Sequence, residues 1–258
     1  MTRLKQSHEL MRRVREIVLG HHEGEVVERT PIEYHVLIFY SRIRSLLEGA
    51  CVLLDARLPE EVVILGREMF TDSLRLMEMA SRESDRESLI LGLVNRSLTE
   101  WENLQREALS LGVSDKREVA TVLGLVAKRR KEIDAYRERH GIGQLKTFPK
   151  EKQLAKVHGR LGEYLDYAFA HRMVHRADMA QAGRILKIGD VRAISLRNPD
   201  DDSMVAASAF VMTSALHAHK AVASIFAWTE TKPEEIDRLL AEIDRLFPAE
   251  LQSPGGNP

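Results

Sequence analysis

The chain has 258 residues, enough for one large domain or two small ones and for a substantial hydrophobic core. Charged residues make up 30% of it but nearly cancel, to a formal net charge of −1. There is thus no global basic excess for nucleic acid and no acidic excess for a basic partner. A single cysteine, Cys51, excludes an intrachain disulfide, and no window approaches the roughly 18 uninterrupted apolar residues of a membrane span.

Helical periodicity dominates from the N-terminus on. Thr2 to Gln6 run into a charged amphipathic pattern rather than an apolar leader, so helix 2–19 opens the chain and a cytoplasmic, non-membrane protein is expected. Thr30-Pro31 starts a helix over 31–56, in which Cys51 sits on an apolar face as a small core residue and Arg44 and Glu48 form an i,i+4 pair. Pro59-Glu60-Glu61 opens 60–81, Ser114-Asp115 caps 115–140, and 84–110 lies between them. Gly20, Gly112 and Gly141 stand where left-handed caps are expected.

Helices at 150–159 and 161–184 follow a loop over 141–149. Residues 184–196 break the pattern as two short runs around Gly189-Asp190, either a small β-hairpin or an irregular loop. Asp and Ser near 200–203 cap a helix over 203–230, and Thr231-Lys232-Pro233-Glu234 introduces the last, 233–246. The expected fold class is all-α, a multi-helix bundle over 26–248. Residues 1–25 form an N-terminal helix and linker, and 249–258 a disordered tail.

The stretch Glu163 to His175 carries the sharpest signal. As a helix it places Tyr164, Tyr167, His171 and His175 on one face, at steps of three, four and four. Two imidazoles four apart can share a metal, but Arg172 stands where a zinc-peptidase helix needs glutamate and no fourth ligand is fixed, so no metal and no cofactor are expected. Acid–base work by His175 competes with a hydrogen-bonded polar seam between buried helices. Arg67 lies in an apolar helix. It takes Asp72 or Glu163 as a salt-bridge partner, or else aims at a phosphate beside His175.

Lys128-Arg129-Arg130-Lys131 is a concentrated basic run. Glu132, Asp134 and Glu138 interleave it and no aromatic ladder accompanies it, which favours a solvated helix face over a nucleic-acid track. His217 and His219 are two apart, so on a helix they diverge.

Leu65 to Leu76, centred on Arg67, and Tyr167 to His175 together resemble an uncharacterised helical family of bacteria and archaea, a domain-of-unknown-function group. That resemblance covers roughly 30–230. It implies an arginine-centred apolar helix, and a later helix carrying a tyrosine and a terminal histidine. The family's glutamate four residues after the arginine is Thr71 here, with Asp72 next, and its serine four before the histidine is His171. A weaker similarity is to the helical HEPN ribonucleases, which pair arginine with histidine and include toxins and antiphage effectors. Their arginine stands four to six residues before the histidine. Here Ala170 is five before His175 and Arg172 three, so an Arg67–His175 site requires helix–helix assembly.

Two readings follow. In the first, the chain is a metal-independent RNA-cleaving effector. His175 is its acid or base, His171 or Tyr167 orients it, and Arg67, with Arg172 and Arg176, binds phosphate. In the second, it is a non-enzymatic interaction module with a structural Tyr–His seam. It contacts a second copy or an operon partner through helix 2–19 or the Ala-rich 205–227.

Overall fold

The computed structural model describes residues 2–20, 30–165, 167–168, 185–188, 191–194, 201–228 and 231–246. The fold is all-α apart from one short hairpin. Its helices are α1 (Arg3–Gly20), α2 (Pro31–Asp55), α3 (Pro59–Ser81), α4 (Arg86–Ser110), α5 (Lys116–His140) and α6 (Glu151–Val157), then α7 (Asp201–Phe226) and α8 (Pro233–Leu246). A 3₁₀ turn, Glu83–Asp85, precedes α4, and residues 161–165 and 167–168 are helical. Strands β1 (Ile185–Ile188) and β2 (Val191–Ile194) pair antiparallel with Ile188 opposite Val191, so the two short runs form a hairpin; Gly189 and Asp190 lie outside the described residues. Among the described residues no helix is long and apolar enough to cross a membrane. The tail expected over 249–258 lies outside the described residues.

Local chemistry explains the helix starts. Thr30 and Glu33 form a capping box: the Glu33 amide donates to Thr30 Oγ1 at 3.2 Å, and the Thr30 amide donates to the Glu33 carboxylate at 3.0 Å. Asp115 accepts from the amides of Arg117 and Glu118 at 2.7 and 2.8 Å. Gly112 and Gly141 take positive φ; Gly20 ends α1 without doing so.

The chain forms two compact units, Met1–Ala80 with Lys150–Pro258, and Ser81–Pro149. Both boundaries fall inside the stretch that the sequence presents as one helical domain over 26–248.

In the first unit α7 is the core element, buried along its length from Met204 to Ala223 and packed by α1, α2 and α8. α2 contributes Val36, Tyr40, Ile43, Leu47, Ala50 and Leu54, spaced three and four apart, and Cys51 is buried beside them. α1 lays Leu10, Met11, Val14 and Val18 on the same core, and Arg13 reaches Glu242 of α8 at 2.6 Å. The two surfaces expected to meet a partner, 2–19 and 205–227, are therefore covered within the chain itself. Arg44 is not paired with Glu48: its guanidinium donates to the Leu19 carbonyl at 2.8 Å, in the last turn of α1. A free carbonyl at a helix end, which is the negative pole of its dipole, outcompetes an exposed glutamate that water already satisfies.

In the second unit α5 runs back along α4. Tyr136 donates to Glu87 at 3.1 Å, and Arg130 pairs with Glu102 at 2.7 Å. Val119, Val126 and Ile133, seven apart, are the buried stripe of α5. Residues 144–146 cross α4: Ser88 Oγ donates to the Gln144 carbonyl at 3.0 Å and accepts from the Lys146 amide at 2.9 Å. The crossing depends on Gly92, because a Cβ there would stand 1.9 Å from the Lys146 carbonyl oxygen, a backbone atom that cannot swing aside. Gly92→Ala should lift this strap and destabilise the unit by about 1–3 kcal/mol. Faster hydrogen exchange at the Lys146 amide, measured against the wild type, would report it; unchanged protection there would contradict it.

Candidate functional site

On α3, Arg67, Phe70, Leu74 and Glu78 follow at steps of three, four and four and share a face, with Ser73 on its flank. On α7, Phe210, Ser214 and His217 do the same at four and three. Phe70, Leu74 and Phe210 form one apolar cluster with Leu154 and Ala155 of α6, and Tyr164 and Tyr167 pack against its edge. The polar side chains of the three segments are thus gathered around an apolar floor.

The end of α6 sets the geometry. Gly159 has φ +70°, a left-handed conformation that a β-carbon would oppose. The Arg160 amide donates to the Ala155 carbonyl at 2.7 Å and the Gly159 amide to the Lys156 carbonyl, closing a Schellman turn. That turn sends Arg160 inward, where it is 2% exposed. Its Nη1 donates to Ser73 Oγ at 2.7 Å and its Nη2 to Ser214 Oγ at 3.4 Å. Nη2 also pairs with Glu163, and the guanidinium lies 4.8 Å from the centre of the Phe70 ring. Ser73 passes the chain on by donating to the Phe70 carbonyl. Burial pushes the Arg160 pKa down to about 9, so the group remains a cation at neutral pH but an expensive one.

Just before the turn, His158 Nε2 lies 3.0 Å from the Glu78 carboxylate, whose side chain is 1% exposed. A carboxylate only accepts, so Nε2 is the donor of this contact. His217 is held neutral. Burial foremost, then the positive charges of Arg160, Lys220 and His158, lower its pKa to about 3.

Arg67 differs from its neighbours. Its guanidinium lies over the Tyr167 ring, 5.7 Å from the ring centre, and its buried Nε has no hydrogen-bond partner. Neither carboxylate expected to pair with it does so. Asp72 is held by Arg42 of α2 at 3.2 Å and by Arg75 at 3.3 Å, because five residues along a helix turn it about 140° away from Arg67. Glu163 belongs to Arg160. Burial raises the Asp72 pKa to about 6 even though both arginines pull it down.

Tyr167 stacks on Tyr164 and meets Phe70 with its ring tilted, in each case with ring centres 5.5 Å apart, so the first half of the expected aromatic stripe lies against α3. His171, Arg172, His175 and Arg176 lie outside the described residues. Among the described residues no group of three or more His, Cys, Asp or Glu side chains is placed to hold a metal ion.

His219 diverges from His217, as the spacing required. Its Nδ1 is 2.5 Å from Tyr40 Oη and its Nε2 is 3.3 Å from Thr231 Oγ1, while Tyr40 Oη donates to the Val18 carbonyl at 3.1 Å. A donor chain from Thr231 through His219 and Tyr40 to Val18 fastens the end of α1.

Sequence reasoning missed Arg160, His158, Glu78, Ser73 and Ser214. The signal present was a glycine at a helix end followed by an arginine, together with polar residues on otherwise apolar faces of α3 and α7. The chain matches no family model, no curated protein and no solved structure.

Proposed function

We propose that this protein is a metal-independent phosphodiester-cleaving enzyme acting on RNA, of the toxin or defence type, working in the cytoplasm. The observation that carries the reading is Arg67. It is a half-buried cation on an apolar helix, it stands on an aromatic ring, and no carboxylate pairs with it among the described residues. A cation–π contact uses none of the guanidinium's N–H groups as hydrogen-bond donors to a carboxylate, which leaves them for the oxygens of a phosphate. The ring beneath it is Tyr167, which begins the run to His171 and His175 on the same sequence spacing.

In this reading Arg67 binds the scissile phosphate and stabilises the charge that develops on it, with Arg172 and Arg176 as further phosphate contacts. His175 moves the proton as general acid or base, and His171 or Tyr167 orients it.

The test is cleavage of a total-RNA pool in EDTA by the wild type, Arg67→Ala and His175→Ala, with thermal melts in parallel. Wild-type cleavage is expected to fall by about 10²–10³ in either variant, while each stays folded. No cleavage by the wild type would end this reading.

The second reading, a non-enzymatic helical module, is favoured by the closed network of Arg160, Ser73, Ser214 and Glu163. With 2–19 and 205–227 already covered, a second copy or an operon partner would have to use another surface. On this reading His175→Ala lowers the melting temperature and has no activity to remove.

A further inference from the structure

Charges that interleave along the α5 sequence separate in space. Glu132 pairs with Arg129 at 2.8 Å, Asp134 with Arg137 at 3.3 Å, and Glu102 of α4 takes Arg130 at 2.7 Å. Those pairs lie on the flanks of the helix or toward α4. Lys128, Lys131, Arg117 and Arg139 enter no ion pair among the described residues.

The four fall on one side of the helix, opposite the buried stripe of Val119, Val126 and Ile133, and each is exposed. Between them the same side carries Ala120, Thr121, Gly124, Ala127 and Ala135, also exposed, with Glu138 as an unpaired carboxylate and Glu132, held by Arg129, at its edge. The result is a straight, low-relief strip about 33 Å long with four unpaired cations against one unpaired acid.

We propose that this strip docks the phosphate backbone of RNA. Small side chains let a strand lie close against the helix, so lysine and arginine reach phosphates from both edges. A polyanion supplies the charge the strip lacks, and it needs no apolar pocket. A protein partner would ask for an apolar centre, and the residues between the cations are small, with Leu125 exposed only at the strip's edge. The choice of RNA over DNA rests on the cleavage reading above; the strip itself does not.

The experiment is fluorescence anisotropy of an end-labelled single-stranded RNA with the full chain. It is run in the His175→Ala background so that the probe survives, and repeated with Arg117, Lys128, Lys131 and Arg139 all changed to alanine. All four side chains are exposed, so helicity by circular dichroism should be unchanged. The quadruple variant is expected to bind at least about tenfold more weakly, with the slope of log affinity against log salt shallower by about 3. Arg129→Ala, which removes a paired cation, should change affinity far less.

Equal affinity of the quadruple variant and its parent would overturn the proposal, as would preference for DNA of the same sequence or no RNA binding at all. Undiminished cleavage when the same four changes are made in the wild-type chain, with His175 intact, would sink the docking strip and leave the catalytic reading standing. Binding through the strip by a wild type that cleaves nothing would do the reverse.

Discussion

Glu163→Ala should destabilise the first unit by about 3–5 kcal/mol, whereas Arg160→Met should cost less than about 1.5 kcal/mol. The asymmetry follows from which charge water can reach. Arg160 is sealed in, and Glu163 is its carboxylate partner at the edge of the cluster, with 26% of the side chain exposed. Removing Glu163 leaves a buried cation whose partners are two serine hydroxyls and the face of Phe70. Removing the guanidinium instead frees Glu163 to hydrate and leaves Ser73 bonded to the Phe70 carbonyl. Methionine preserves much of the stem that packs on Phe70. Urea unfolding of the three proteins decides the matter. Equal losses in both variants would mean that the guanidinium hydrogen bonds, rather than the balance of charge, hold this region.

How much of this was legible in the sequence depends on the range of each interaction. Helix starts were, because a cap is made by residues two or three apart. Thr30 with Glu33, and Asp115 with the next two amides, carry their geometry in their spacing. The hairpin was legible as one of two readings of a pair of short apolar runs, and the pairing of those runs decides between them. Arg67 was recognisable as an arginine in apolar surroundings, but its partners were assigned along the sequence. Asp72 is close in number and far around the helix, where Arg42 of α2 claims it.

Arg160 was invisible for the opposite reason. The hydroxyls that let it be buried come from Ser73 and Ser214, 87 and 54 residues away, and no local pattern announces them. Charge told a similar story on α5. An alternating run reads as self-neutralising until the acids are seen to pair off along the flanks and leave one side basic.

Acid should move the first unit in two opposed directions that nearly cancel in the wild type. The His217 pKa is about 3 in the folded state against an ordinary 6.5, so between those values the unfolded chain binds a proton that the fold refuses. Its contribution is complete above about pH 6.5 and is lost as pH falls toward 3. Asp72 is the reverse. Its pKa is about 6 against an ordinary 3.8, so between those values the fold holds a proton that the unfolded chain has released. Lowering the pH from 6 to 3.8 therefore favours the folded state.

Each group changes the unfolding free energy by about 1.4 kcal/mol per pH unit inside its window, with opposite sign. His217→Gln should unmask Asp72, leaving a protein that gains about 2 kcal/mol relative to the wild type between pH 6 and 4.5. Asp72→Asn should unmask His217 and lose a similar amount over the same interval. Urea midpoints of the three proteins at the two pH values test this. Carboxylates elsewhere titrate alike in all of them and drop out of the difference. If His217→Gln tracked the wild type through the interval, the imidazole would be protonated in the fold at pH 4.5. Burial, with the nearby cations of Arg160 and Lys220, would then not govern it.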